Sequence, residues 1–395
     1  MSMEVSKKIS SLQVSPTVAL NSKAKQLKAS GADVLNFAVG EPDYGTPKQV
    51  VDIAVKALES GRTKYGPAGG GLPFRTAISE KLSRENGLDY APEHIVCGIG
   101  AKEILFHISL SLLNDGDEVL LTAPFWVSYQ DQIKAAGGIP VLIPMTDGKP
   151  CFDPKIIEEY SSPKTVAYLL CSPNNPAGYA LSQDELKVLG DYLVKKDWWV
   201  ISDEIYEYLT FDTQHVSLLK VCPELREQFI LVNGLSKSFA MTGWRVGYCC
   251  GPAKVMKLVK SLQSHSSTCL PPFVEEAACW AISQGAPLMA EQISLLKARR
   301  DLAVDRIKSI KGLSYIQPQG AFYLFIDVRP ALKSSTKFED TDSMAFCEYL
   351  LEEKHIAVVP GEAFGSPGYL RLSYATDEDT IRKGTQRLQE AVEAI

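Results

Sequence analysis

At 395 residues, with 45% hydrophobic and 22% charged residues, the chain has the make-up of a globular protein and is too long for one ordinary compact domain. A formal net charge of −6 argues against a nucleic-acid binder, and no apolar run reaches membrane length. Nine cysteines stand without a C-x-x-C pair and none of the five histidines forms a ligand set, so no metal is expected and a reducing compartment fits. The start, Met1-Ser-Met-Glu-Val-Ser-Lys-Lys8, lacks the apolar core of a signal peptide, which places the protein in the cytoplasm as an expectation.

In chain order, the glycines and proline of Thr63-Lys-Tyr-Gly-Pro-Ala-Gly-Gly-Gly71 mark a turn. Short apolar runs then predict strands at 94–97, 118–121, 140–144, 165–171, 199–202, 229–232 and 246–250, with helical patterns between most of them. That rhythm predicts an α/β fold, a mostly parallel seven-stranded sheet with helices on both faces, in a large domain spanning 47–284. Within the last strand, Cys249 and Cys250 should face opposite ways. A long amphipathic pattern follows over 285–310, in which Lys297-Ala-Arg-Arg300 reads as the wet face of a helix. Strands near 321–327 and 369–373 predict a smaller α+β domain over 285–395.

Three of the predicted strands end in chemistry. Thr165–Cys171 runs into Ser172-Pro-Asn-Asn-Pro-Ala-Gly178, which holds Asn175. The strand at 199–202 ends at Asp203, with Tyr206 three positions on. The strand at 229–232 breaks at Gly234 and delivers Ser236, Lys237 and then Arg245. Parallel α/β sheets bind ligands where strand carboxyl ends meet, so these groups can converge. An amine held against a packed sheet loses hydration, and its pKa falls towards the nucleophilic form. A carboxylate that keeps a pyridine nitrogen protonated makes the ring an electron sink. An amide and a phenol can bond the ring's oxygen, and a forked guanidinium suits a phosphate. Lysine paired with aspartate in this way is the signature of pyridoxal 5'-phosphate chemistry.

Other candidates are weaker alone. Gly98-Ile-Gly-Ala-Lys-Glu103 opens a helix and lacks both the third glycine of a dinucleotide fingerprint and the full P-loop pattern. It reads better as an anion cradle of helix N-terminal amides. Lys102 in the first turn opposes the helix dipole, a cost that an anion beside it would offset. Arg371 lies in an alternating strand whose apolar neighbours face the other way.

With Val39-Gly-Glu-Pro-Asp43, Thr63-Lys-Tyr-Gly66, Ala123-Pro-Phe-Trp-Val-Ser-Tyr129, Gly320-Ala-Phe-Tyr323 and Leu370-Arg-Leu-Ser-Tyr-Ala375 in this order, the chain resembles the class I aminotransferases. These belong to the fold-type-I pyridoxal-phosphate enzymes, and the bacterial and plant aspartate (aspartate/prephenate) branch is the most similar. The resemblance implies that residues 1–46 form an arm joining the small domain, and that the protein is a homodimer with shared sites. It implies cofactor contacts from the amides of Ala101 and Lys102, from Trp126 stacked on the ring, and from Asn175, Asp203, Tyr206, Ser236 and Arg245. Tyr65 would reach the phosphate of the neighbouring subunit's cofactor. Lys237 would be the catalytic lysine.

For the substrate the resemblance implies Arg371 on the α-carboxylate, with Gly40, Trp126 and Asn175 close by. Lys102 and Thr17 would take a distal carboxylate, and Phe322 would line the pocket. The expected reaction is a ping-pong exchange between aspartate or glutamate and a 2-oxo acid. Ala177 departs from the family's usual threonine, and residues 265–273 depart from its serine-rich loop. Other donors (aromatic, aliphatic, prephenate), a C–S lyase, or a non-catalytic cofactor-retaining regulator remain alternatives.

Overall fold

The computed structural model describes residues 5–10, 12 and 16–395. Its main sheet has seven strands: β2 (Ile95–Gly98), β3 (Glu118–Thr122), β4 (Ile139–Ile143), β5 (Thr165–Cys171), β6 (Trp199–Asp203), β7 (Phe229–Gly234) and β8 (Gly247–Cys250). β1 (Leu35–Asn36) lies outside this sheet. The order is β2-β8-β7-β6-β5-β3-β4. Neighbours from β7 to β4 pair in parallel, while β8 runs antiparallel to both β2 and β7.

These strands read as continuous apolar runs because helices cover both faces. On one face pack Leu120, Tyr168, Leu170, Val200, Leu231 and Cys250, and on the other Val119, Ala167, Leu169, Ile201, Ile230 and Cys249. The period of two sends alternate residues to opposite cores, and the paired cysteines separate as expected. Each buried leucine, isoleucine and valine among them stabilises the sheet by roughly 1.5–3 kcal/mol relative to exposure. The expected strands at 94–97, 140–144 and 246–250 are each displaced by about one residue, the ordinary uncertainty of an element's end. At the last of these Arg245 takes φ +58°, a left-handed turn that delays the strand to Gly247.

A second sheet, antiparallel in order β12-β13-β10-β9, uses β9 (Ser314–Ile316), β10 (Tyr323–Asp327), β12 (Val359–Pro360) and β13 (Tyr369–Ser373). β1 pairs in parallel with β11 (Ile356–Ala357), so residues near the start of the chain dock beside residues near its end.

The helix over the amphipathic stretch runs from Ala290 to Lys308, and it corrects the wet-face reading of Lys297-Ala-Arg-Arg300. Of the three cations Lys297, Arg299 and Arg300, only Lys297 stays partly exposed. Arg299 and Arg300 are buried, because Asp43 accepts from Arg299 at 2.7 Å and Asp212 and Asp301 hold Arg300. Buried guanidinium groups need such partners.

Candidate active site

A cavity of about 260 Å³ lies where β5, β6 and β7 end, closed on one side by the helix Ala101–Leu112 and on another by β10 and β13. The strand ends deliver Asn175, Asp203, Tyr206, Ser236 and Lys237 to its wall, as expected. Ala101, Lys102, Trp126 and Arg245 line it from the helix side, and Gly40 and Arg371 from the other. Tyr65 does not: it is 88% exposed and lines a separate surface groove on the glycine-rich turn. The side chain of Thr17 lies outside the described residues.

Asp203 is buried. Its Oδ2 accepts the Tyr129 hydroxyl at 2.6 Å and its Oδ1 accepts the Ile205 amide at 3.2 Å. Burial pushes its carboxyl up to about 6, with Glu204 adding to the rise and the Tyr129 and Ile205 hydrogen bonds working against it. Lys237 donates to the Gly40 carbonyl at 2.5 Å. Burial lowers its amine to about 8, assisted by Arg371, Arg245 and Lys102 and opposed by Glu41. An amine with that value has an accessible neutral form near physiological pH, which a nucleophile or a proton carrier requires.

Arg371 is 2% exposed, yet among the described residues no carboxylate pairs with it. Its two terminal nitrogens donate to Asn175 Oδ1 at 3.0 Å and to the Ala38 carbonyl at 2.8 Å, and its Nε has no partner. The guanidinium lies over the rings of Tyr323 and Phe364, 4.5 and 5.1 Å from their centres. Burial lowers its pKa. A buried cation with an orphaned donor is costly unless an anion completes it.

The phenol of Tyr206 shares a hydrogen bond with Tyr323 at 3.1 Å and receives one from Asn175 at 3.5 Å. At the helix start, Gly100 takes φ +86°, and a Cβ there would come within 2.6 Å of Arg245 Nη2. The glycine lets the guanidinium lie against the helix N-terminus, where amide donors are left without intrahelical acceptors. Lys102 Nζ sits 4.8 Å from the Trp126 ring centre, and burial followed by Arg245 lowers its pKa. Gly40 is close-packed as well: a Cβ would meet the Tyr323 hydroxyl at 3.1 Å.

The wall thus carries four cations, Lys102, Lys237, Arg245 and Arg371, against one acid, Asp203. Such a cavity selects ligands with more than one negative group. An acid without a cation bonded to it, an orphaned guanidinium nitrogen and a glycine-lined helix N-terminus together fit a phosphorylated pyridine and a carboxylate substrate.

Sequence reasoning missed Tyr129 and Tyr323. Tyr129, in the first turn of the helix Ser128–Ala135, sits three residues after Trp126 and donates its amide to the Trp126 carbonyl at 3.1 Å, and their rings meet edge to face at 5.3 Å. Phe322 is corrected: it precedes β10 and is fully buried in the core, edge-on to Tyr206, while Tyr323, whose ring packs against it at 4.6 Å, lines the cavity instead. Ala177 is fully buried beside Phe325 and Tyr369, where a threonine hydroxyl would need a partner.

Comparison with known proteins accords with this geometry. An aspartate aminotransferase of Geobacillus stearothermophilus is 39% identical over 395 residues, covering 99% of this chain and 100% of that one. An aspartate/prephenate aminotransferase of Nitrosomonas europaea is 36% identical over 392 residues, covering 98% and 99%. The crystal structure of the aspartate aminotransferase from Rhizobium meliloti superposes with a TM-score of 0.94 at 35% identity, covering 99% of both chains. That of Thermus thermophilus with maleate gives 0.92 at 36%, covering 99% of this chain and 100% of that one. Residues 32–388 match the family described as aminotransferase class I and II, and the chain belongs to that family.

Proposed function

We propose that the protein is a pyridoxal-phosphate-dependent aminotransferase that moves an amino group between aspartate or glutamate and a 2-oxo acid such as 2-oxoglutarate or oxaloacetate. The observation that carries the reading is the meeting in one cavity of Asp203, Lys237 and a buried Arg371 that pairs with no carboxylate among the described residues. When bound, the cofactor supplies an aldehyde and a ring that takes up electrons. Asp203 would face the ring nitrogen, Asn175 and Tyr206 the ring oxygen, and Trp126 the ring's face. The amides of Ala101 and Lys102, with Ser236 and Arg245, would hold the phosphate.

Arg371 binds the substrate's α-carboxylate with two parallel donors, and Asn175, already bonded to it, fixes its plane. Lys102 takes a second carboxylate at the other end, with Thr17 assigned beside it and Gly40 closing over the substrate. Lys237, its pKa lowered to about 8 by burial, would take the substrate's α-proton and return it as general acid. The Tyr206–Tyr323 phenol pair and Trp126 wall the cavity in which that transfer would take place.

We further infer a homodimer in which Tyr65, outside its own cavity, serves the partner's site. The large unit would span 47–284, and the small one 1–46 with 285–395, a division supported by the β1–β11 pairing. A cytoplasmic location accords with nine cysteines that are all unpaired. No described helix is long and apolar enough to cross a membrane. Prephenate is the second acceptor to test, because the Nitrosomonas europaea relative is named for it.

Adding each amino acid singly to the cofactor-loaded protein should convert its visible absorption fastest with aspartate and glutamate. Faster conversion by aromatic or aliphatic donors would overturn the substrate assignment.

A further inference from the structure

A second group of buried charges lies behind the turn that carries Asp203 and Tyr206. The Glu207 amide donates to the Glu204 carbonyl at 3.0 Å, so residues 204–207 form a turn with Ile205 and Tyr206 at its tip. Its two corner residues are glutamates, both buried. Glu204 Oε1 accepts hydroxyls from Ser217 at 2.7 Å and Ser202 at 3.0 Å, and its Oε2 bonds His215 Nε2 at 2.9 Å. Glu207 Oε1 pairs with Lys81, and its Oε2 accepts from Asn86 at 2.9 Å. Lys81 is 1% exposed and also donates to Asn86 at 2.8 Å.

We propose that Lys81 and His215 are positioning residues for the cofactor ring: through Glu207 and Glu204 they pin both corners of the turn and so fix the Tyr206 phenol and the Asp203 carboxylate. This rests on the assignment of those two groups to the ring. Two carboxylates face one ammonium and one imidazole, and the cluster is neutral when the imidazole carries its proton. Burial raises the Glu207 pKa, but Lys81, His215 and Asn86 outweigh it and the net direction is down. The ligands come from four places: the end of the helix Leu72–Lys81, the next turn at Asn86, Ser202 on β6, and the loop holding His215 and Ser217. The turn is therefore tied to its surroundings independently of the cavity. Holding a reacting constellation within a fraction of an ångström depends on such support. The carboxylates and imidazole lie close enough together, within 4.8 Å, to ligate a cation, but Lys81 and the serines already occupy their oxygens.

The test is cofactor affinity and the pH midpoint of the loaded protein's visible absorption. Measurements cover Glu207→Gln, Lys81→Met and the double variant. Removing one member of a buried pair leaves a lone charge, whereas removing both can be near neutral. Each single variant should weaken cofactor binding about tenfold or more and move the pH midpoint, and the double, which sheds the lone charge but still lacks the pin, should stay about tenfold weaker than the parent. Glu207→Gln keeps the side-chain shape and reads the effect if Lys81→Met does not fold. Unchanged affinity in the single variants, or a double variant restored to within about threefold of the parent, would overturn the proposal, the latter because it marks a lone buried charge rather than a lost pin. So would saturable Mn²⁺ binding to the cofactor-free protein that His215→Asn abolishes. Asp203→Asn and Tyr206→Phe are the reference pair. If they leave affinity unchanged, the ring assignment itself falls and this inference with it; if they weaken it while Glu207→Gln does not, this inference alone falls.

Discussion

The turn at residues 204–207 separates two sets of buried charged groups organised in opposite ways. Behind it, Lys81, His215, Glu204 and Glu207 find partners within the chain, with hydroxyls and an amide filling the remaining positions. In front of it, Arg371 keeps an unbonded nitrogen, Asp203 has a phenol and an amide rather than a cation, and Lys237 donates to a backbone carbonyl. The first set is scaffold. The second is incomplete in ways that a phosphorylated aldehyde and a dicarboxylate would complete. Burial is similar in the two, so satisfaction rather than depth tells the site from its support.

The comparison can be broken by exchanging groups on the unsatisfied side. The largest expected loss after the lysine itself is at Arg371. Arg371→Lys removes the forked geometry, and kcat/KM for every amino donor should fall about 100-fold or more, as loss of charge-assisted hydrogen bonds predicts. A loss under threefold would show that the α-carboxylate binds elsewhere.

Asp203→Asn sharpens the comparison through pH. The folded carboxyl titrates at about 6 against 3.8 for the ordinary group, so it favours the folded state fully below pH 3.8 and loses that contribution as pH rises through 6. Relative to the parent, the cofactor-free variant should therefore gain about 2 kcal/mol of stability between pH 4 and pH 7. Urea unfolding midpoints at the two values check this, and a parallel pH response in both proteins contradicts it.

Lys102→Ala is the smallest of these. It should lower kcat/KM for aspartate roughly tenfold while changing that for alanine little. Equal losses for the two donors would remove the distal-carboxylate role.

The seven strands and most of the cavity were legible in the sequence because each functional group follows its own apolar run, and strand carboxyl ends meet by topology. Lys237, Asp203 and Asn175 needed no knowledge of distant pairing. Tyr129 did: it is a core-like tyrosine until Asp203, 74 residues on, is seen to accept its hydrogen bond. The Lys81–Glu207 pair spans 126 residues, and Arg299–Asp43 spans 256. A local pattern gives such charges to solvent, which is why Arg299 and Arg300 read as a wet face. Tyr65 was legible only through resemblance, and its exposed position on one chain accords with a role on another.

The most direct test of the central claim, that Lys237 and Asp203 hold one vitamin B6 ring between them, is the visible spectrum of the protein titrated with pyridoxal phosphate, compared with Lys237→Ala. The parent should bind one equivalent per chain with a pH-dependent visible band, and the variant should lose the band together with about 10⁴-fold or more of the turnover. A variant that keeps both the band and normal turnover would contradict the account.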